Sequence, residues 1–160
     1  MRPATARALI RYILEEISLW SEDAEQLVIE TGYYESDLKY LDCIDEDDIP
    51  FNNAVGYTQL RESTIIDIWD RLQRGRVRNA GLITRKLIEW GFNPDNPIRS
   101  VSLSIALQFA FSRLKYFLID EPLPIDLKTR AWYYGKYYFT DIDNFDSEKY
   151  INKVAFLENR

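Results

Sequence analysis

From Ser100 to Leu118 the chain offers a helix-length segment with apolar residues on nearly every face: Val101, Leu103, Ile105, Ala106, Leu107, Phe109, Ala110, Phe111, Leu114, Phe117 and Leu118. A helix that is apolar all round has no side to give to water, so it belongs at the centre with other elements packed around it. Ser104, Gln108, Ser112, Arg113 and Lys115 interrupt it, and no window approaches the roughly eighteen uninterrupted apolar residues of a bilayer span. The expectation is a mainly α fold organised on one core helix, Ser100 to Leu118, with no membrane span. At 160 residues and 46% hydrophobic composition the chain fits one domain, 1–160, able to bury a sizeable core.

The flanking segments supply amphipathic partners. Ala6, Leu9, Ile10, Ile13, Leu14 and Ile17 follow helical spacing and predict a first helix from Thr5 to near Trp20. Ser21 is a good N-cap for a second helix, with Glu22 and Asp23 in its first turn and Ala24, Leu27, Val28 and Thr31 as its buried stripe. Gly32 marks a kink or an end; one further turn would put Glu35 on the side of Val28 and Thr31. A third helix is expected from Thr64, in a capping-box relation with Asp67, to a stop at Gly75. A fourth runs through Ala80, Ile83, Leu87 and Trp90 to Gly91, and Asn93 to Pro97 is a loop. After Pro122 and Pro124, Asp126 caps an aromatic-rich helix reaching Phe139, and Ser147 caps a last helix carrying Tyr150, Ile151, Val154 and Leu157.

Asp37 to Asn53 is different in kind, holding Asp42, Asp45, Glu46, Asp47 and Asp48. It reads as a loop with a short strand or β-hairpin and a solvated acidic turn, since the ligand spacing of an EF-hand loop is absent. Arg74, Arg76 and Arg78 read as a solvated turn, or as a contact for lactyl or peptide carboxylates. The run Trp132, Tyr133, Tyr134, Tyr137, Tyr138 and Phe139 reads as core and interface, or as rings that stack on sugars.

Composition narrows the chemistry. There is no histidine, so the usual Ser-His-Asp and Cys-His triads are excluded, and one cysteine, Cys43, permits no intrachain disulfide. No metal site and no cofactor are expected. A net charge of −6 argues against a partner held by nucleic-acid phosphates. Carboxylates are left as the acid and base groups. The N-terminus lacks the apolar core of a secretory signal, so any export is expected to need another route, such as cell lysis, a holin or packaging in a virion.

The stretch Glu30 to Leu38 places Glu35 where a helical run meets the acidic segment, and Gly56 to Thr64 supplies a second polar cluster. Together these stretches resemble the soluble lytic transglycosylases and goose-type lysozymes, most closely small phage-encoded members. Glu35-Ser36 matches the catalytic Glu-Ser dipeptide at a helix end. Gly56, Gln59 and Thr64 match Gly-x-x-Gln-x-x-Pro-x-Thr, with Glu62 at the proline position, and Tyr137-Tyr138-Phe139-Thr140 resembles the later Tyr-Asn element, with Phe139 at the asparagine position. The resemblance spans about Glu30 to Ile151.

What the resemblance implies is a lysozyme-like helical domain that cleaves the β-1,4 bond between MurNAc and GlcNAc in bacterial peptidoglycan. Glu35 would be the acid that protonates the leaving oxygen, a role suited to a carboxyl in an apolar setting. Ser36, Tyr57, Gln59, Tyr137 and Tyr138 would contact or orient substrate. A transglycosylase would reuse Glu35 as base on the sugar's own 6-hydroxyl, whereas a hydrolase would recruit Asp42, Asp45 or Asp47. The protein would act as a phage lysin on the cell wall, in lysis or in entry. The alternative is a catalytically inactive lysozyme-like virion component that binds glycan or other virion proteins.

Overall fold

In a computed structural model, residues 1–39 and 54–158 are described here, and the acidic run from Asp42 to Asp48, with Cys43, lies outside them. The order is α1 (Pro3–Glu16), α2 (Glu22–Ser36), β1 (Ala54–Val55), β2 (Leu60–Arg61), α3 (Glu62–Gln73), α4 (Ala80–Glu89), α5 (Pro97–Leu103), α6 (Ile105–Phe117), α7 (Leu127–Tyr134), a π-helical turn (Gly135–Phe139), α8 (Ser147–Val154) and a 3₁₀ turn (Ala155–Leu157). The fold is mainly helical, with α6 at the centre: Leu107, Phe109, Ala110, Phe111 and Leu114 are fully buried, and α1, α2, α3, α5 and the π turn all pack on it.

The expected core helix from Ser100 to Leu118 is instead two helices. Ser104 is extended (φ −128°, ψ 109°) and its Oγ accepts the Leu107 amide, so it caps α6 while ending α5. Gln108 holds the break: its buried Nε2 donates to the carbonyls of Val101 (3.1 Å), which also takes the Ser104 amide, and Ser102 (3.4 Å), at the end of α5 where carbonyls run out of helical partners. A glutamine inside an apolar run therefore marks a junction between two helices.

The first helix stops at Glu16 rather than near Trp20. Ser18 takes a left-handed φ of 55°, the Ser18 amide bonds the Glu15 carbonyl (2.9 Å), and the Leu19 amide reaches back to Leu14 (2.8 Å). This is a Schellman stop with serine where glycine is usual, closed by the buried Leu14 and Leu19. Ser21 caps α2 through the Ala24 amide, as its position suggests.

Gly32 does not end α2. A Cβ there would stand 2.7 Å from Leu38 Cδ2, so the missing side chain makes room for Leu38 to fold back after the left-handed Asp37. The helix runs on to Ser36 and carries Glu35 with it. Lys153 of α8 holds this end, donating to the Tyr34 carbonyl (2.8 Å) and pairing with Asp37 (3.1 Å).

The two strands form an antiparallel hairpin, Ala54 opposite Arg61 and Val55 opposite Leu60, just beyond the segment where a hairpin was expected. Gly56 to Gln59 is its turn. Gly56 has φ 79°, and a Cβ would meet the Gln108 side chain at 2.5 Å, so glycine serves both the turn and the close approach of α6. The third helix starts at Glu62, two residues ahead of the expected Thr64 cap, with Arg61 at the N-cap and no side-chain cap bond. Asp126 caps α7 through Thr129 as expected, whereas Asp146 rather than Ser147 caps α8. No helix among the described residues is long and apolar enough to cross a membrane.

Candidate active site

Glu35 sits in the last turn of α2, half-buried. The hydroxyl of Tyr134, on α7 and 99 residues away in sequence, donates to Glu35 Oε1. Tyr134 is buried against Tyr34 (ring centroids 5.1 Å), Tyr150 (4.9 Å) and Tyr138 (5.5 Å, stacked). Burial first, and then the Glu35 charge, push the Tyr134 hydroxyl well above its ordinary value. It therefore remains a donor at any working pH.

The other side of Glu35 faces a cavity of about 370 Å³, within the range of small-ligand sites. The β hairpin contributes Ala54, Gln59 and Arg61, the first turn of α3 contributes Ser63 and Thr64, and the π turn with its exit contributes Tyr138, Phe139 and Thr140. Lys115 of α6 completes the wall. The Lys115 ammonium donates to the Tyr138 carbonyl (2.9 Å) and lies 4.0 Å from the centroid of the Tyr138 ring. Burial pulls it down to about 8; the Glu35 charge opposes that fall and Arg61 adds to it.

A π turn carries one more residue per turn than an α-helix and is frequent where a helix meets a functional site. Here it exposes Phe139 to the cavity while Tyr138 points inward, its hydroxyl donating to the Thr58 carbonyl (2.7 Å). Burial, then the charge of Glu35, raise the Tyr138 hydroxyl as well.

Of the six residues singled out in sequence, Glu35, Gln59 and Tyr138 share this cavity. Gln59 has a left-handed φ of 47°, and its Nε2 donates to the Gly56 carbonyl (2.9 Å). Ser36 is buried beneath the site, with its Oγ against the carbonyls of Gly32 (3.2 Å) and Tyr57 (2.8 Å), and so ties the end of α2 to the hairpin turn. Tyr57 packs on Phe109 (6.1 Å) and gives its amide to Gln108 Oε1 (3.0 Å). Tyr137 lines a neighbouring cavity of about 300 Å³ that shares Ser63, Thr64 and Lys115 with the first, and its hydroxyl donates to Glu121.

Sequence reasoning missed Tyr134, Arg61 and Lys115. A lysine on a helix that is apolar on nearly every face was the available signal for the last, because an ammonium is rarely drawn into a core without a purpose. Arg74, Arg76 and Arg78 are exposed, away from the cavity. Among the described residues no group of three or more His, Cys, Asp or Glu could hold a metal ion. No family model, characterised protein or solved structure matches the chain.

Proposed function

We propose that the protein cleaves the β-1,4 glycosidic bond of bacterial peptidoglycan, with Glu35 as the acid that protonates the leaving oxygen. The observation that carries this reading is the meeting of Glu35, Gln59, Thr64 and Tyr138 around one cavity, although they come from three separate stretches of sequence. In the lysozyme-like reading the glutamate ends a helix, the hairpin covers one side of the cleft, and a central helix forms its floor. Here Glu35 ends α2, the turn bearing Gln59 stands beside it, and α6 lies beneath.

Glu62, at the position where the resembled family has proline, is the first residue of α3. Proline suits that position by its fixed φ and glutamate by its charge at the positive end of the helix, so this departure leaves the turn intact. Each group has a simple task. Tyr134 fixes the rotamer of Glu35 by its hydrogen bond, Gln59 and Thr64 offer polar contacts to a bound sugar, and Ser36 positions the glutamate through the backbone of Tyr57. Once the leaving group has its proton, the Glu35 carboxylate can take a proton from the 6-hydroxyl of the cleaved sugar, or water can attack instead. Action as a phage lysin, made in the host cytoplasm or carried in the virion, follows from the same reading.

The decisive experiment is digestion of purified peptidoglycan by wild type and Glu35→Gln, with products separated by mass. Anhydro-muropeptides from wild type alone would establish a transglycosylase, and reducing ends would establish a hydrolase. Phe139 favours a second reading: its ring is 44% exposed on the cavity, where a polar asparagine is expected. A lysozyme-like virion component that binds glycan without turnover would give no product from either protein, while chitin oligosaccharides still bound.

A further inference from the structure

The four tryptophans of the chain are not used alike. Trp20 gives its indole N–H to Glu25 (2.8 Å) and carries Arg11 over its ring, Trp69 packs on Phe92 (4.8 Å), and Trp132 meets Tyr137 (6.3 Å) and Lys136 (4.7 Å). Trp90, at the C-cap of α4, is half-buried against the core, yet among the described residues no aromatic ring, cation or hydrogen-bond acceptor meets its indole. It lines a hollow of about 340 Å³, within the range of small-ligand sites, and none of the described lining residues is shared with the Glu35 cavity. Leu103, 77% exposed at the end of α5, is a second apolar side chain on the same hollow.

The polar lining divides into groups that shape the loop and groups left for a ligand. Asn93 Oδ1 takes the Asp95 amide (2.9 Å), and the Ser100 hydroxyl takes the Asn93 amide (2.9 Å) and donates to the Asn96 carbonyl (2.9 Å). Asn96 stands at the N-cap of α5 without making a side-chain cap bond, and it and Arg99 are exposed on the hollow. A sugar ring has apolar C–H faces that lie on an indole, and hydroxyls that both donate and accept, as a carboxamide does. A guanidinium only donates, which suits the carbonyl of an acetamido group, and Leu103 suits its methyl. We infer that the hollow at Trp90 is a second glycan site, taking an N-acetylated sugar with Trp90 on the ring face and Asn96 and Arg99 on the polar edge. The choice of an N-acetylated wall glycan rests on the reading of the Glu35 cleft, and the saccharide class on the hollow itself. A polymer gripped at two sites is retained more tightly than at either alone.

The test is heteronuclear NMR of Glu35→Gln, titrated with chitotetraose and with cellotetraose, which lacks the acetamido groups. The indole N–H cross-peaks are followed, and Trp90→Phe assigns the Trp90 peak by its loss. The expected result is a saturable shift of that peak with chitotetraose and a several-fold weaker affinity for cellotetraose. Asn96→Ala combined with Arg99→Ala, both at exposed positions, should weaken the affinity read from the Trp90 peak about tenfold, the worth of two polar contacts, with the melting temperature unchanged. A Trp90 peak that stays in place, an equal response to both oligosaccharides, or an affinity untouched by the double substitution would overturn the inference. Digestion of peptidoglycan by wild type separates the two proposals: a Trp90 shift in a protein that yields no product keeps this site and removes the enzyme, and product without a Trp90 shift does the reverse.

Discussion

Glu30 and Glu35 lie on one helix, little more than a turn apart, and are held in opposite ways. Glu30 is fully buried: Arg130 Nε lies 3.0 Å from both of its oxygens, Gln26 Nε2 donates at 2.7 Å and the Tyr150 hydroxyl at 3.1 Å. Burial pushes its carboxyl above the ordinary value, against the pull of Arg130 and the donated hydrogen bonds. Glu35 is half-buried, and one side of it faces a cavity. The first carboxylate is enclosed by donors from three parts of the chain, α2, α7 and α8; the second borders a cavity. What separates the two carboxylates is the cavity beside Glu35, which Glu30 lacks among the residues that enclose it.

Arg130→Ala breaks the comparison most severely. It strands the Glu30 charge in the interior and should cost about 3–5 kcal/mol, read as a lower urea midpoint. Glu35→Gln should leave that midpoint almost unchanged and lower turnover by roughly 10²–10⁴-fold, the usual worth of a general acid. A large loss of stability in this variant would show that Glu35 is structural after all.

Lys115→Met sharpens the contrast from the other wall. The folded value near 8 lies below the ordinary 10.5, so the unfolded chain binds the extra proton and wild-type stability rises between those two pH values. The methionine variant should therefore be about 1–3 kcal/mol more stable than wild type near pH 7, with the gap closing towards pH 10.5. Thermal melts across that range would check the sign. Tyr134→Phe is the mildest change, removing one hydrogen bond to Glu35 beside a cavity where water can replace it. It should cost roughly 1 kcal/mol in stability, with the larger effect on turnover.

Local signals were legible where a short-range hydrogen bond decides the structure. Ser21 and Asp126 cap their helices as the sequence implies, and the apolar run from Ser100 does mark the centre. What could not be read depended on distant partners. Gln108 looked like a polar interruption, and its role needs the ends of α5 and the Tyr57 amide, which is 51 residues away. Ser18 ends α1 without glycine, in a left-handed turn whose flanking Leu14 and Leu19 are both buried in the core. Within the candidate site, Glu35, Gln59 and Tyr138 were found from a resemblance, whereas Lys115 and Tyr134 reach the cavity only through the packing of α6 and α7.

The hydrogen bond from Tyr134 also sets an order of assembly. Its two ends are 99 residues apart, and the Tyr150 bond to Glu30 spans 120. Contacts of such sequence separation close late, because a long loop must be ordered before they return any energy. On a ribosome adding about 5–20 residues each second, several seconds pass between the emergence of Glu35 and that of the tyrosine that orients it. A growing or truncated chain that stops short of Tyr134 holds Glu35 without this hydrogen-bond partner, so the pair forms only when the last quarter of the polypeptide has folded back onto the first.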